Sequence, residues 1–193
     1  MKLDISPMLN AYPDSMGGTL HDIVELLARP EFENVFGSFY ILPSVFNTDL
    51  DRGFSVIDYT LNRELAGPQV MEGLKALGLK LKLDFILNHA SVLSPQFQDL
   101  LKNGKNSAYR DFFINWNDFW QGCGSMTEQG YIQPEAKYLE KMLFRKPGLP
   151  ILMARMPDGT EEPYWNTFYQ QVDYLRPTVQ QLMQISGLQY SAA

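Results

Sequence analysis

The chain has 193 residues, with 16 Lys and Arg against 22 Asp and Glu, giving a net charge of −6 and a pI near 4.9. At roughly 150 residues per domain this is one domain with an appendage. An apolar fraction of 45% with 20% charged residues excludes a mainly disordered chain, and the acidic balance argues against a nucleic-acid partner, which needs a basic face. A lone Cys123 excludes an internal disulfide and any multi-cysteine metal site, and His21 and His89 leave little room for a histidine-based one. No apolar run approaches the ~20 residues that span a bilayer, and Met1 to Pro7 lacks the apolar core of a secretory signal. The expectation is a cytoplasmic protein with no membrane partner.

Met8 to Tyr12 reads as a short strand, followed by turn chemistry at Pro13-Asp14-Ser15-Met16-Gly17-Gly18. Thr19 is a candidate N-cap for a helix whose apolar face is Ile23, Leu26 and Leu27, stopped by Pro30. Val35 to Leu42 is aromatic and β-branched, which predicts a buried strand ended by Pro43. A polar loop is expected from Asn47 to Asp58. Pro68 opens a helix carrying Val70, Met71, Leu74 and Leu77, with Gly78 closing it. Leu79 to Leu87 alternates apolar residues as a third strand, and Pro95 to Lys102 predicts a helix ended by Gly104. Strand and helix alternate, so an α/β fold with parallel strands is expected, its ligand site at the carboxyl ends of the strands. Residues 105 to 172 lose this periodicity and read as an irregular insertion, and Pro177 to Ile185 as a returning helix. Three parallel strands alone leave exposed edges, which invite pairing with further strands.

Four segments could carry chemistry. Asn88 and His89 follow the third strand, where His89 could bond a substrate hydroxyl or instead be satisfied by backbone groups. Asp49 to Phe54 combines carboxylates with an aromatic face, the mixture that grips a sugar's polar rim and apolar C–H face, or a solvated turn over one buried ring. Arg145-Lys146 beside Pro147-Gly148-Leu149-Pro150 could hold a phosphate, although such pairs are common on surfaces. Trp165 to Asp173 could line a sugar pocket or pack a small subdomain. Cys123 sits between glycines with no neighbouring histidine and does not read as a catalytic thiol.

Taken together, Tyr12 to Gly18, Ile41-Leu42-Pro43, Asp51 to Tyr59, Asp84 to His89, Pro147 to Pro150 and Gln170-Gln171-Val172-Asp173, in this order, resemble the N-terminal part of the sucrose phosphorylases of glycoside hydrolase family 13. The resemblance implies a partial (β/α)8 barrel, its first three βα units in residues 1–104. An inserted domain B would occupy 105–172, and 173–193 would return to the barrel. It implies retaining transfer of a glucosyl group from sucrose or a related α-glucoside to phosphate, giving α-glucose 1-phosphate. Relatives acting on glucosylglycerate, glucosylglycerol or phosphorylated sucrose are alternatives. Asp51 would hold hydroxyls of the transferred ring, Phe54 would face it, His89 would bond its 6-hydroxyl, and Phe168 and Gln171 would line the same pocket. Arg145 and Lys146 would serve the phosphate. Asn88 resembles a calcium ligand of amylases that the phosphorylase branch does not use, so no metal and no cofactor are expected. The family's Arg-x-Asp nucleophile motif does not occur after Gln171, so the chain alone is expected to be inactive, either awaiting docking to the remaining barrel strands or serving as a non-catalytic carbohydrate-binding or complementing fragment.

Overall fold

The computed structural model describes residues 6–43, 45–49, 53–144 and 147–167, and the chain divides into two compact units, Met1–Pro95 and Gln96–Ala193. The first unit runs β1 (Met8–Ala11), α1 (Leu20–Leu27), β2 (Ser38–Ile41), β3 (Phe46–Thr48), β4 (Val56–Leu61), α2 (Pro68–Ala76) and β5 (Lys80–Leu83). β1, β2 and β5 form a parallel sheet in that order, with Ala11, Ile41 and Leu83 in one register row. Parallel pairing follows from the connections, since each pair of strands is joined by a segment long enough to cross over the sheet.

Two helices bury the sheet through their apolar stripes. Leu20, Ile23 and Leu27 of α1 and Leu74 of α2 meet Ala11, Phe39 and Ile41 in one core. The helices approach closely at Gly73, where a Cβ would lie 2.8 Å from Val24 Cγ1. α1 begins with a capping box: the Asp22 N–H donates to Thr19 Oγ1 at 3.4 Å, and the Thr19 N–H donates to Asp22 Oδ2 at 2.8 Å. Hydrogen bonds from the Thr19 side chain and backbone hold the Asp22 carboxyl below its ordinary value of 3.8.

Three expectations for this unit change. The second strand is Ser38–Ile41 rather than 35–42, and the third is Lys80–Leu83 rather than 79–87, because the ladder extends only as far as four-residue β1 and β2 supply partners. After Leu83 the Asp84 N–H turns to the Pro43 carbonyl. The expected apolar alternation is then reversed: Ile86 is 9% exposed, while Phe85 and Leu87 are 59% and 73% exposed. The expected loop over Asn47 to Asp58 is an antiparallel hairpin of β3 with β4. Its β-branched and aromatic residues favour a strand, and its polar residues bond across it. The Asn47 side-chain N–H2 donates to Asp58 Oδ1 at 3.0 Å and to Thr60 Oγ1 at 2.7 Å. Burial pushes the Asp58 carboxyl up, but bonds from Thr60 and Asn47 outweigh it and carry the group below its ordinary value.

The second unit begins at Gln96, within the first turn of α3 (Pro95–Asn103). The expected irregular stretch contains α4 (Trp116–Phe119), β6 (Gly124–Met126), β7 (Ile132–Pro134), α5 (Ala136–Leu139), β8 (Ile151–Arg155) and β9 (Glu161–Trp165), with β6–β7 and β8–β9 as antiparallel pairs. Its core is indole-rich. Trp116 is fully buried, donates its ring N–H to the Ile132 carbonyl at 2.7 Å, and lies 5.0 Å from the Trp165 ring between centroids. The expected helix 177–185 lies outside the described residues. Among the described residues, no helix is long and apolar enough to cross a membrane.

Thr19→Ala is expected to destabilise the first unit by about 1 kcal/mol in chemical denaturation, the usual cost of losing an N-cap. Because the folded Asp22 carboxyl titrates below its ordinary value, its contribution is present above pH 3.8 and is lost as the pH falls below it. The Tm difference between the protein and Asp22→Asn is therefore expected to be constant above about pH 5 and to shrink below pH 3.8.

Candidate functional site

The first unit presents one irregular surface beyond the sheet, made by the β3–β4 hairpin and the segment that follows β5. Neither strand of the hairpin pairs with the parallel sheet, so contacts outside that ladder must hold the two segments together. They do so at successive levels. At the base, Tyr59 donates its hydroxyl to the Ile86 carbonyl, and Phe46, Tyr59 and Phe85 form an aromatic cluster with centroids 5.4 Å (Phe46–Tyr59) and 4.5 Å (Tyr59–Phe85) apart. Further on, the Ser91 N–H donates to the Val56 carbonyl at 2.8 Å, and the Ser91 hydroxyl donates to Asp49 Oδ2 at 2.6 Å. Near the tip, His89 Nε2 meets the Phe54 carbonyl at 2.9 Å.

This last contact brings together Phe54 and His89, the two described residues among those expected to bind substrate. A carbonyl only accepts, so Nε2 carries the proton. Nδ1 lies 3.0 Å from Asn88 Oδ1, so each ring nitrogen faces an acceptor oxygen. Both ring nitrogens are thus engaged within the chain, one by backbone and one by a neighbouring exposed side chain. Asp51, Arg145, Lys146, Phe168 and Gln171 lie outside the described residues.

The loop between β3 and β4 is shaped by Gly53, whose φ of +100° disfavours any residue with a side chain. A Cβ there would also lie 2.6 Å from Pro43 Cγ. Phe54 therefore follows directly on a position fixed twice over, by conformation and by contact with the end of β2. Asp84 has a structural role: Tyr40 of β2 donates its hydroxyl to it, which raises the Tyr40 phenol above its ordinary value. Lys82 lies 4.0 Å above the Tyr40 ring.

A concavity of about 530 Å³ lies within the second unit, lined by Asn115, Glu162 and Tyr164 among others, and it contains none of the expected site residues. Three of its polar side chains bond one another. Tyr164 donates to Glu162 Oε2 at 3.0 Å, and Asn115 both caps α4 and reaches Glu162 at 3.4 Å. Burial, then the Glu162 carboxylate, pushes the Tyr164 phenol far above its ordinary range, so it stays neutral and is no proton acceptor at neutral pH. We place no chemistry there. Cys123 packs partly buried against the indole core, and no three His, Cys, Asp or Glu residues among those described are grouped to hold a metal.

Sequence reasoning missed Ser91 and its bond to Asp49. The two residues are 42 apart, and a serine bonded to an aspartate at that distance leaves no local pattern. Tyr59 and Asn88 lay inside segments already singled out, but their partners did not show.

No family model matches the chain. It is 58% identical over 166 residues to a sucrose 6(F)-phosphate phosphorylase of Ilumatobacter coccineus, covering 86% of this chain and 32% of that protein. It is 34% identical over 169 residues to a protein of the same name from Thermoanaerobacterium thermosaccharolyticum, covering 87% and 32%. A crystal structure of sucrose 6F-phosphate phosphorylase from Thermoanaerobacter thermosaccharolyticum superposes with a TM-score of 0.72 at 33% identity, covering 89% of this chain and 33% of that one. The chain is thus related to the alpha-amylase-like enzymes of glycoside hydrolase family 13. Within that class it is sucrose phosphorylase-like and corresponds to the N-terminal part of such enzymes. It spans about a third of the length of the curated relatives it matches.

Gly53→Ala is expected to cost about 1–3 kcal/mol, from positive φ and a clash with Pro43 together. Gly78→Ala, at φ +69° with nothing within 4 Å of its Cβ, is expected to cost less, about 1 kcal/mol. Equilibrium unfolding of both variants checks the order.

Proposed function

We propose that this chain supplies one wall of the glucosyl-binding pocket of a retaining glucoside phosphorylase, with sucrose or a phosphorylated sucrose as donor and phosphate as acceptor. The observation that carries the reading is the contact of Phe54 with His89 on a scaffold 58% identical to a sucrose 6(F)-phosphate phosphorylase. That likeness favours a donor phosphorylated on its fructosyl part over plain sucrose.

Phe54 would lie against the apolar C–H face of the glucosyl ring, and His89 would hydrogen-bond its 6-hydroxyl. Asp51 would accept hydrogen bonds from hydroxyls at the far rim. Phe168 and Gln171 would close the pocket from the inserted domain, and Arg145 and Lys146 would hold an anionic phosphate. The bond-making steps belong to groups outside this chain. A carboxylate attacks the anomeric carbon while an acid protonates the departing fructosyl oxygen, and phosphate then displaces the carboxylate to give α-glucose 1-phosphate with net retention. The exposed Leu81 and Leu83 of β5 support further pairing on that edge by the remaining barrel strands. Residues 1–193 alone are accordingly expected to release no glucose 1-phosphate.

The test completes this chain with the remaining part of its Ilumatobacter relative. The chimera is expected to form glucose 1-phosphate from sucrose 6F-phosphate only when phosphate is present, and more slowly from sucrose. Asp51→Ala is expected to lower kcat/KM about 10- to 100-fold, matching a lost charge-assisted bond of roughly 1.5–3 kcal/mol. A folded chimera that hydrolyses its donor without phosphate, or ignores both sucroses, overturns the reading.

A further inference from the structure

The concavity of the second unit transfers no proton, yet its walls are fixed as a binding site requires. The Trp165 N–H donates to the Ile114 carbonyl at 3.0 Å, and Asn115 forms an antiparallel bridge with Tyr164, which ties the segment before α4 to β9. Behind that tie, Trp116 is fully buried and stacks near Trp165. The wall at the end of α3 closes on the β8–β9 turn through Gly104, whose φ is +51° and where a Cβ would lie 3.2 Å from Pro157 Cδ. The floor is equally settled. Tyr164 is 3% exposed, and Glu162 Oε2 accepts from both Tyr164 and Asn115. The Glu162 and Asp118 carboxylates both push the Tyr164 phenol up, so both stand close to it. A volume of about 530 Å³ lies within the range of small-molecule sites, roughly 300–1,000 Å³.

The lining selects among ligands by chemistry. Arg110 and Asp111 pair at 4.0 Å and cancel, which leaves Asp118, Glu161 and Glu162 against Lys105, a net charge of −2. Beside these stand Ile114 and Phe119, large apolar side chains that are each 53% exposed. An anion meets an excess of carboxylates, and a small cation leaves the apolar pair and Lys105 unused. A polyhydroxylated ring uses all of them. Its hydroxyl hydrogens go to the carboxylates, its oxygens accept from Lys105, and its C–H faces cover Ile114 and Phe119. We propose that this concavity is a carbohydrate-binding site for a neutral mono- or disaccharide. It shares no residue with the donor wall and does not rest on that reading.

The experiment is a backbone correlation spectrum of the labelled 193-residue chain, titrated separately with sucrose, sucrose 6F-phosphate and putrescine at constant ionic strength. Sucrose is expected to give saturable shifts at Ile114 to Phe119 and at Glu161, Glu162 and Tyr164. At these residues sucrose 6F-phosphate is expected to bind about tenfold more weakly, and putrescine not to saturate. Glu161→Gln keeps the shape of an exposed side chain and removes its charge, and is expected to weaken sucrose about tenfold there, the difference between a charge-assisted and a neutral hydrogen bond. Glu128→Gln removes an exposed carboxylate outside the concavity and is expected to leave that affinity unchanged. No sucrose shift at these residues overturns the proposal, as does binding of putrescine or the phosphorylated sugar as tightly as sucrose, or equal sucrose affinity in the two variants. Should Glu161→Gln fail to fold, Asp118→Asn takes its place under the same requirement. Shifts at Gly53 to Val56 and Asn88 to Ser91 report the donor wall in the same spectra, so either site can fail while the other stands.

Discussion

The proposed ligand surface depends on how the β3–β4 hairpin is joined to the segment after β5. Outside the parallel ladder, neither piece has a sheet to fix it, and the aromatic groups there are partly exposed. The join is made by bonds of different kinds in series: an aromatic cluster at Tyr59, a buried serine at Ser91 and a ring-to-carbonyl contact at His89. Gly53 adds the conformational half of the constraint by turning the chain against Pro43. A surface assembled outside the main sheet needs such redundancy, because each ordered residue costs roughly 1–2 kcal/mol of chain entropy.

The parallel sheet was legible because its strands are short apolar runs bounded by Pro or Gly, and its helices carry caps and stripes at the right period. Thr19, Pro68 and Gly78 act where their chemistry says they should. Strand ends were less legible, since length is set by the partner strand rather than by the residues themselves. The hairpin was read as a loop because Asn47, Asp58 and Thr60 look like solvated polar residues until their mutual bonds are seen. Its two register shifts also break the alternation that would have signalled a strand.

The second unit teaches the opposite lesson about aromatic residues. Trp165 suggested either a sugar pocket or packing, and it packs against Trp116 beside a core that also takes in Trp120. The nearness of Phe54 to His89, by contrast, came from likeness to a family rather than from any spacing, for no periodicity connects positions 35 residues apart. Ser91 illustrates what no local pattern can signal: its significance lies wholly in a partner 42 residues away.

If the hairpin tip and the segment after β5 form the proposed glucosyl-binding wall, titrating the isotope-labelled chain with sucrose 6F-phosphate moves its backbone correlation spectrum. Saturable shifts are expected at Gly53 to Val56 and Asn88 to Ser91. Shifts confined to the second unit, around Asn115 and Tyr164, or none anywhere at saturating donor, would contradict it.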